Sequence, residues 1–187
     1  AVPAGLAVEP GDLVVAELFP DRDEALLVEV FGSEDDPRLD DLAVASRHRL
    51  ARGFSRAAED EAACFGPPVL DPRTGRLDLT DRPTFTMDPV DARDFDDALS
   101  WRPLEGGGCE VGIHIADVAH YVSPGSALDD EARERATSVY LAGGVIPMLP
   151  HDLSSDLCSL VPDAGRLTMS VLAEMDARSG VSRYRIT

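Results

Sequence analysis

Short runs in which apolar and polar residues alternate make up much of this chain, and Gly, Pro and Asp bound them. Leu13 to Phe19 and Ala25 to Phe31 read as two strands, joined by the turn material Pro20-Asp21-Arg22-Asp23 and closed by Gly32. Leu39 to Ala63 has helical composition, broken at Gly53 and ended before Gly66-Pro67-Pro68. Asp71 to Thr80 is a polar turn region suited to a boundary or an extended linker. Phe85 and Met87 alternate with Thr84 and Thr86, which predicts a half-buried strand over 84–87 running into Asp88 and stopped by Pro89. Strands are expected over 97–102 and, with strict period two, from Cys109 to Ala116. Leu128 to Tyr140 is a helix candidate with Ser126 or Asp129 near its start, and Val145 to Leu149 is short and apolar. Arg166 to Asp176 and Val181 to Thr187 read as strands across a hairpin turn at Arg178-Ser179-Gly180.

These elements divide by character. Residues 1–32 look all-β, 33–75 form an acidic and helical connector, and 76–187 mix strands with helices. The expected fold class is α+β: a mostly antiparallel sheet with flanking helices on one side, preceded by part of an all-β barrel. Two strands alone are marginal in water, so the first piece is expected to belong to a larger barrel or to pack on the rest of the chain. The pattern stops inside a strand, and the chain is expected to be a fragment.

Composition narrows the partners. With 44% hydrophobic residues a real core is possible. A net charge of -18 argues against broad electrostatic adhesion to nucleic acid or to anionic membrane, although a local, metal-bridged site escapes that argument. All 17 basic residues are Arg. Cys64, Cys109 and Cys158 form no C-x-x-C pattern, so buried free thiols are expected, with no disulfide partner and no zinc site. No apolar run approaches the roughly 20 residues of a membrane span, and no signal pattern opens the chain, so a cytoplasmic protein is the default expectation.

The candidate chemistry lies in four aspartates at D-x5-D-x-D-D spacing: Asp88, Asp94, Asp96 and Asp97. Two unit charges about 4 Å apart interact by roughly 4 kcal/mol at an effective dielectric near 20, so carboxylates gathered in a cleft need cations. Mg2+ or Mn2+, hard ions with oxygen ligands, suit such a set and are common catalysts of phosphodiester cleavage. In a chain with 35 acidic residues, spacing alone leaves a solvated acidic turn and a metal site both open. The flanking apolar runs favour a loop held between ordered elements, where a rigid site is built. His114, between Ile113 and Ile115, is expected to be a structural or polar-face histidine, and Arg166 an edge or salt-bridge residue.

Four blocks of residues then resemble one family. Thr84-Phe-Thr-Met-Asp-Pro-x-x-Ala-Arg-Asp-Phe-Asp-Asp-Ala-Leu99 comes first, and Gly112-Ile-His-Ile-Ala-Asp-Val-Ala-His-Tyr-Val-x-Pro-Gly-Ser126 comes second. Thr137-Ser-Val-Tyr-Leu141 and Ile146-Pro-Met-Leu-Pro-x-x-Leu-Ser-x-x-Leu-Cys-Ser-Leu160 complete the order and spacing of the ribonuclease II / ribonuclease R family. The likeness covers about Arg76 to Thr187, the N-terminal half of that family's catalytic domain. The Gly11 to Gly32 strands resemble, far less specifically, the end of its second cold-shock (OB) domain. The resemblance implies a metal-dependent 3′-to-5′ exoribonuclease that processively degrades single-stranded RNA from its 3′ end to nucleoside 5′-monophosphates. It implies Asp88, Asp94, Asp96 and Asp97 as catalytic residues holding Mg2+ or Mn2+, with Asp96 least replaceable, and Tyr140 as the clamp on the 3′-terminal nucleotide. That family's catalytic Arg and Glu lie beyond these blocks, so the isolated chain is expected to be inactive. Two other readings stand beside this one: a non-catalytic RNA-binding member of the same fold, and an acidic cation-binding or interaction domain with no RNA role.

Overall fold

The computed structural model describes residues 7–69, 75–90, 92–176, 178 and 180–187. The chain forms two compact units, one of residues 1–53 with 137–146 and one of residues 54–136 with 147–187. Compactness thus divides the chain elsewhere than at the compositional boundaries near 33 and 76, and residues 71–74 of the expected linker lie outside the described set.

In the first unit, β1 (Asp12–Leu18) and β2 (Ala25–Ser33) form an antiparallel pair with register shifts at Leu13/Val14 and Val15/Ala16. Phe19 N–H donates to the Glu24 carbonyl at 3.2 Å and closes the connecting turn. Helix α1 (Asp40–Arg47) opens on two acidic residues and ends on a basic one, the sense the helix dipole favours.

The second unit holds α2 (Arg56–Ala62) and a five-stranded sheet. Its strands are β3 (Thr84–Phe85), β4 (Asp97–Pro103), β5 (Cys109–Ala116), β8 (Thr168–Met175) and β9 (Val181–Ile186). The order is β3-β4-β5-β8-β9 and every pair is antiparallel. Between β5 and β8 the chain makes helix α3 (Ala127–Arg135), then lends β6 (Val139–Tyr140) and β7 (Val145–Ile146) to the first unit, then returns through a π turn at Leu153–Leu157. Ser55 caps α2 through Ala58 N–H, and Ser126 caps α3 through Asp129 N–H. The apolar core lies among these helices: Ala58 and Ala62 of α2, Leu128 of α3, Leu153 and Leu157 of the π turn, and Tyr121, whose ring meets Phe65 edge-on. The architecture is α+β with mostly antiparallel sheets, as the pattern predicts.

Three expectations need correction. The helix expected to reach Tyr140 stops at Arg135: Ala136 turns the chain at φ 64°, and β-branched Thr137 and Val139 lead into β6. The strand expected over 84–87 pairs only at Thr84↔Ser100 and Phe85↔Leu99, so Met87 has no partner strand and stands 82% exposed. Of the three thiols only Cys158 is buried, where desolvation raises its pKa to about 11; Cys109 is half-buried and Cys64 exposed, and all three are free. Among the described residues no helix is long and apolar enough to cross a membrane. The hairpin turn residue Ser179 lies outside the described set.

Candidate functional site

Register sorts the sheet's residues onto two faces, since directly opposed residues of antiparallel strands share a side. Ala98, Ser100, Glu110, Gly112, His114, Ser170 and Leu172 share one face, and all are buried. His114, 4% exposed, lies between two hydroxyls: Nε2 is 2.8 Å from Ser100 Oγ on β4, and Nδ1 is 2.8 Å from Ser170 Oγ on β8. Ser170 Oγ continues the chain to Thr168 Oγ1 at 2.9 Å. Burial, and then the nearby Arg82 charge, push the His114 pKa below its ordinary value, so the imidazole is neutral and uses one nitrogen to donate and one to accept. Gly112 opposes Ser100, and a Cβ there would come within 2.6 Å of His114 Nε2; only glycine leaves room for the ring. Glu110 is also buried and takes both Arg82 and Arg102, the latter at 3.0 Å. The hydrogen bond from Arg102 leads in holding its pKa at about 2. The structural role expected for His114 is the one observed.

A cleft of about 790 Å3 opens beside this face, with His114, Ser170, Thr168 and Ala98 on its floor and Arg76, Arg82 and Arg166 on its walls. Each of those guanidinium groups has an acidic partner: Asp117 for Arg76 at 2.6 Å, Glu110 for Arg82, and Asp156 for Arg166 at 2.7 Å. The salt-bridge role expected for Arg166 is therefore present, and Asp117 serves as an ion-pair partner.

None of the four motif aspartates lines that cleft, although Phe95, between Asp94 and Asp96, does. The acidic loop runs from the end of β3 to the start of β4. Asp88 and Asp94 are half-buried, while Asp96 and Asp97 are exposed. Asp97 opposes Ile115 in the ladder, and the Asp96 carbonyl accepts from Ala116 N–H at 2.9 Å. Asp97 is the first residue of β4, and Asp96 immediately precedes the strand. Among the described residues no three Asp, Glu, His or Cys side chains are grouped closely enough to hold a metal ion, so this chain does not gather the four into a finished cage. Their donor chemistry does fit a hard divalent cation. All are carboxylates, and Asp88 Oδ2 is buried without a hydrogen-bond partner, an oxygen whose desolvation a cation would offset. Tyr140 belongs to the first compact unit, on β6 opposite Val145 and 68% exposed, not at the helix end expected for it.

The loop's stretch from Arg93 to Phe95 is nonetheless fastened, by a residue that the sequence pattern does not single out. Ser159 Oγ accepts from Phe95 N–H at 3.0 Å and donates to the Arg93 carbonyl at 2.9 Å, while Leu160 N–H donates to the Phe95 carbonyl at 2.7 Å. Arg166 Nε holds the Ser159 carbonyl in turn at 3.0 Å. Nothing in the spacing of Ser159 signals this, because its partners lie more than sixty residues earlier.

Comparison with known proteins places these features in a lineage. The RNB domain family matches residues 76–187. Ribonuclease R of Thermotoga maritima is 45% identical over 186 residues, which is 95% of this chain and 26% of that protein. The structure of Mycoplasma genitalium RNase R in complex with double-stranded RNA superposes with a TM-score of 0.86 at 29% identity, covering 100% of this chain and 34% of that one. Yeast Ssd1, described as a pseudonuclease, shares the fold with a TM-score of 0.68 at 19% identity, over 94% of this chain and 23% of that one. The chain spans about a quarter of the length of the first relatives it matches.

Proposed function

The chain belongs to the RNB-domain family, and from that premise we propose that it is part of a metal-dependent 3′-to-5′ exoribonuclease acting on single-stranded RNA. The observation that carries this reading is the acidic loop: four carboxylates inside the RNB match, on a backbone pinned at Arg93 and Phe95, with one carboxylate oxygen buried and unpaired. Ribonuclease R relatives at this identity supply the reaction class.

In this reading Asp88, Asp94, Asp96 and Asp97 hold Mg2+ or Mn2+. These carboxylates would hold the ion, and the chemistry it would supply is Lewis-acid activation of the phosphoryl oxygen and of an attacking water. The residues' own part is to present carboxylate oxygens from a backbone fastened at Arg93 and Phe95, from which the side chains would close on a cation. Tyr140 presents an exposed ring to a terminal base; such stacking contributes about 1–3 kcal/mol per base and accepts any base, as stepwise degradation requires. Processive release of nucleoside 5′-monophosphates, a cytoplasmic setting, a cold-shock origin for β1 and β2 and inactivity of the isolated chain belong to the same proposal.

A second reading, RNA binding without cleavage, draws on the fold shared with the pseudonuclease Ssd1. The full-length protein decides between them. Incubated with end-labelled single-stranded RNA and Mn2+ or Mg2+, it is expected to release nucleoside monophosphates from the 3′ end. Asp96→Asn is expected to lower that rate by roughly a thousandfold while RNA binding persists, the scale of losing a main electrostatic group. Binding without turnover in the wild type selects the second reading, and an Asp96→Asn protein of full activity defeats the first.

A further inference from the structure

We propose that Ser159 is a positioning residue for the acidic loop, setting where Asp94 and Asp96 stand by fastening the backbone between them. Three hydrogen bonds tie that short stretch to residues 159 and 160: Phe95 N–H to Ser159 Oγ at 3.0 Å, Ser159 Oγ to the Arg93 carbonyl at 2.9 Å, and Leu160 N–H to the Phe95 carbonyl at 2.7 Å. Ser159 is fully buried, at 0% exposure, so water cannot replace its hydroxyl. That hydroxyl gives its one proton to the Arg93 carbonyl and accepts from Phe95 N–H, so both of these bonds serve the loop backbone.

The latch itself is braced. Ser159 N–H donates to the Asp156 carbonyl at 2.8 Å, and Arg166 Nε reaches the Ser159 carbonyl at 3.0 Å while its Nη2 pairs with Asp156 Oδ1 at 2.7 Å. Asp94 and Asp96 flank Phe95, so any slip of the Phe95 peptide moves both carboxylates. A displacement of about 1 Å at a reacting centre costs on the order of 100-fold in rate. The catalytic consequence rests on the exoribonuclease reading; the anchoring itself does not.

The test uses the full-length protein with Ser159→Ala, and with Leu128→Ala as a control that opens the neighbouring core without touching the loop. Partners that orient metal ligands from outside the coordination sphere are worth roughly 10–100-fold in affinity or activity, so Ser159→Ala is expected to lower kcat about tenfold and raise the half-activating Mn2+ concentration about as much. KM for single-stranded RNA is expected to stay within about twofold, since no RNA-contacting group is removed. Hydrogen exchange at the Phe95 amide is expected to accelerate at least about tenfold in Ser159→Ala and to stay unchanged in Leu128→Ala. If Ser159→Ala does not fold, Arg166→Met, which releases the Ser159 carbonyl, is expected to move the same readouts in the same direction by less. Unchanged exchange at Phe95, or lost stability with unchanged kcat and Mn2+ dependence, overturns the proposal. A wild-type protein that cleaves no RNA with any divalent ion defeats the exoribonuclease reading instead, and exchange at the Phe95 amide then tests the latch on its own.

Discussion

The two faces of the five-stranded sheet invert the usual division of labour. One carries Ser100, Glu110, His114 and Ser170, all buried although His114 and Ser170 border the cleft; the other carries Phe85, Trp101, Ile113, Ile115 and Met169 and is open to solvent, with Trp101 55% exposed and Ile113 41%. The polar face can be buried because its groups are matched: each His114 nitrogen has a hydroxyl, and Glu110 has two guanidinium groups. The apolar face needs no matching to be solvated, but a contiguous exposed patch of this kind marks an interaction surface more often than an idle one. The buried side thus combines matched polar groups with the apolar Ala98, Ala116 and Leu172.

Substitutions on the two faces should therefore differ sharply in cost. Glu110→Gln, which leaves the largely buried Arg82 without its anion, is expected to destabilise the protein by about 3 kcal/mol in urea denaturation. A loss well under about 1 kcal/mol would mean that the half-exposed Arg102 and solvent carry the pair, and the contrast between faces would weaken. His114→Ala orphans the Ser100 and Ser170 hydroxyls and is expected to cost about 2 kcal/mol.

The same histidine sharpens the contrast through pH. Its folded pKa lies below 6.5, so on acidification the unfolded chain takes up a proton that the folded chain refuses. Stability is expected to fall as pH drops below about 6.5, and His114→Ala is expected to remove that upper part of the slope. Glu110 acts lower: its stabilisation is intact above 4.5 and lost as pH falls towards about 2. Denaturation at a series of pH values reads both. On the open face, Ile113→Thr is expected to change the stability of this chain by no more than about 0.5 kcal/mol, and a cost of several times that would show the face to be packed.

Much of the fold is legible in the residue pattern. Period-two runs place β4, β5, β8 and β9 to within a few residues, because alternation is a local property of the strand. Of the two residues expected near the start of α3, Ser126 and Asp129, it is Ser126 that caps the helix. The end of α3 was not legible: Ala136 takes a left-handed turn that its side chain does not advertise. Nor was the length of β3: it pairs with β4 only at Leu99 and Ser100 although β4 continues back to Asp97, and nothing in the alternation of Thr84 to Met87 marks that limit. At the candidate site the four aspartates stand out by type and spacing, and so does His114 as a structural residue. Ser159 does not, because its partners Arg93 and Phe95 reach it only across the fold.

By itself, then, the sequence determined the α+β class, the strand periods, the approximate starts of α1 and α3 and the acidic loop; it did not place the start of α2 at Arg56, where a helical stretch over Leu39 to Ala63 is expected and residues 48–55 are not helical. Tertiary structure alone decided which sheet face is buried, that Tyr140 joins a different compact unit from the aspartates, and that Ser159 holds the backbone at Arg93 and Phe95. Each of these depends on a partner distant in sequence, and side-chain period carries no information about which distant partner will arrive.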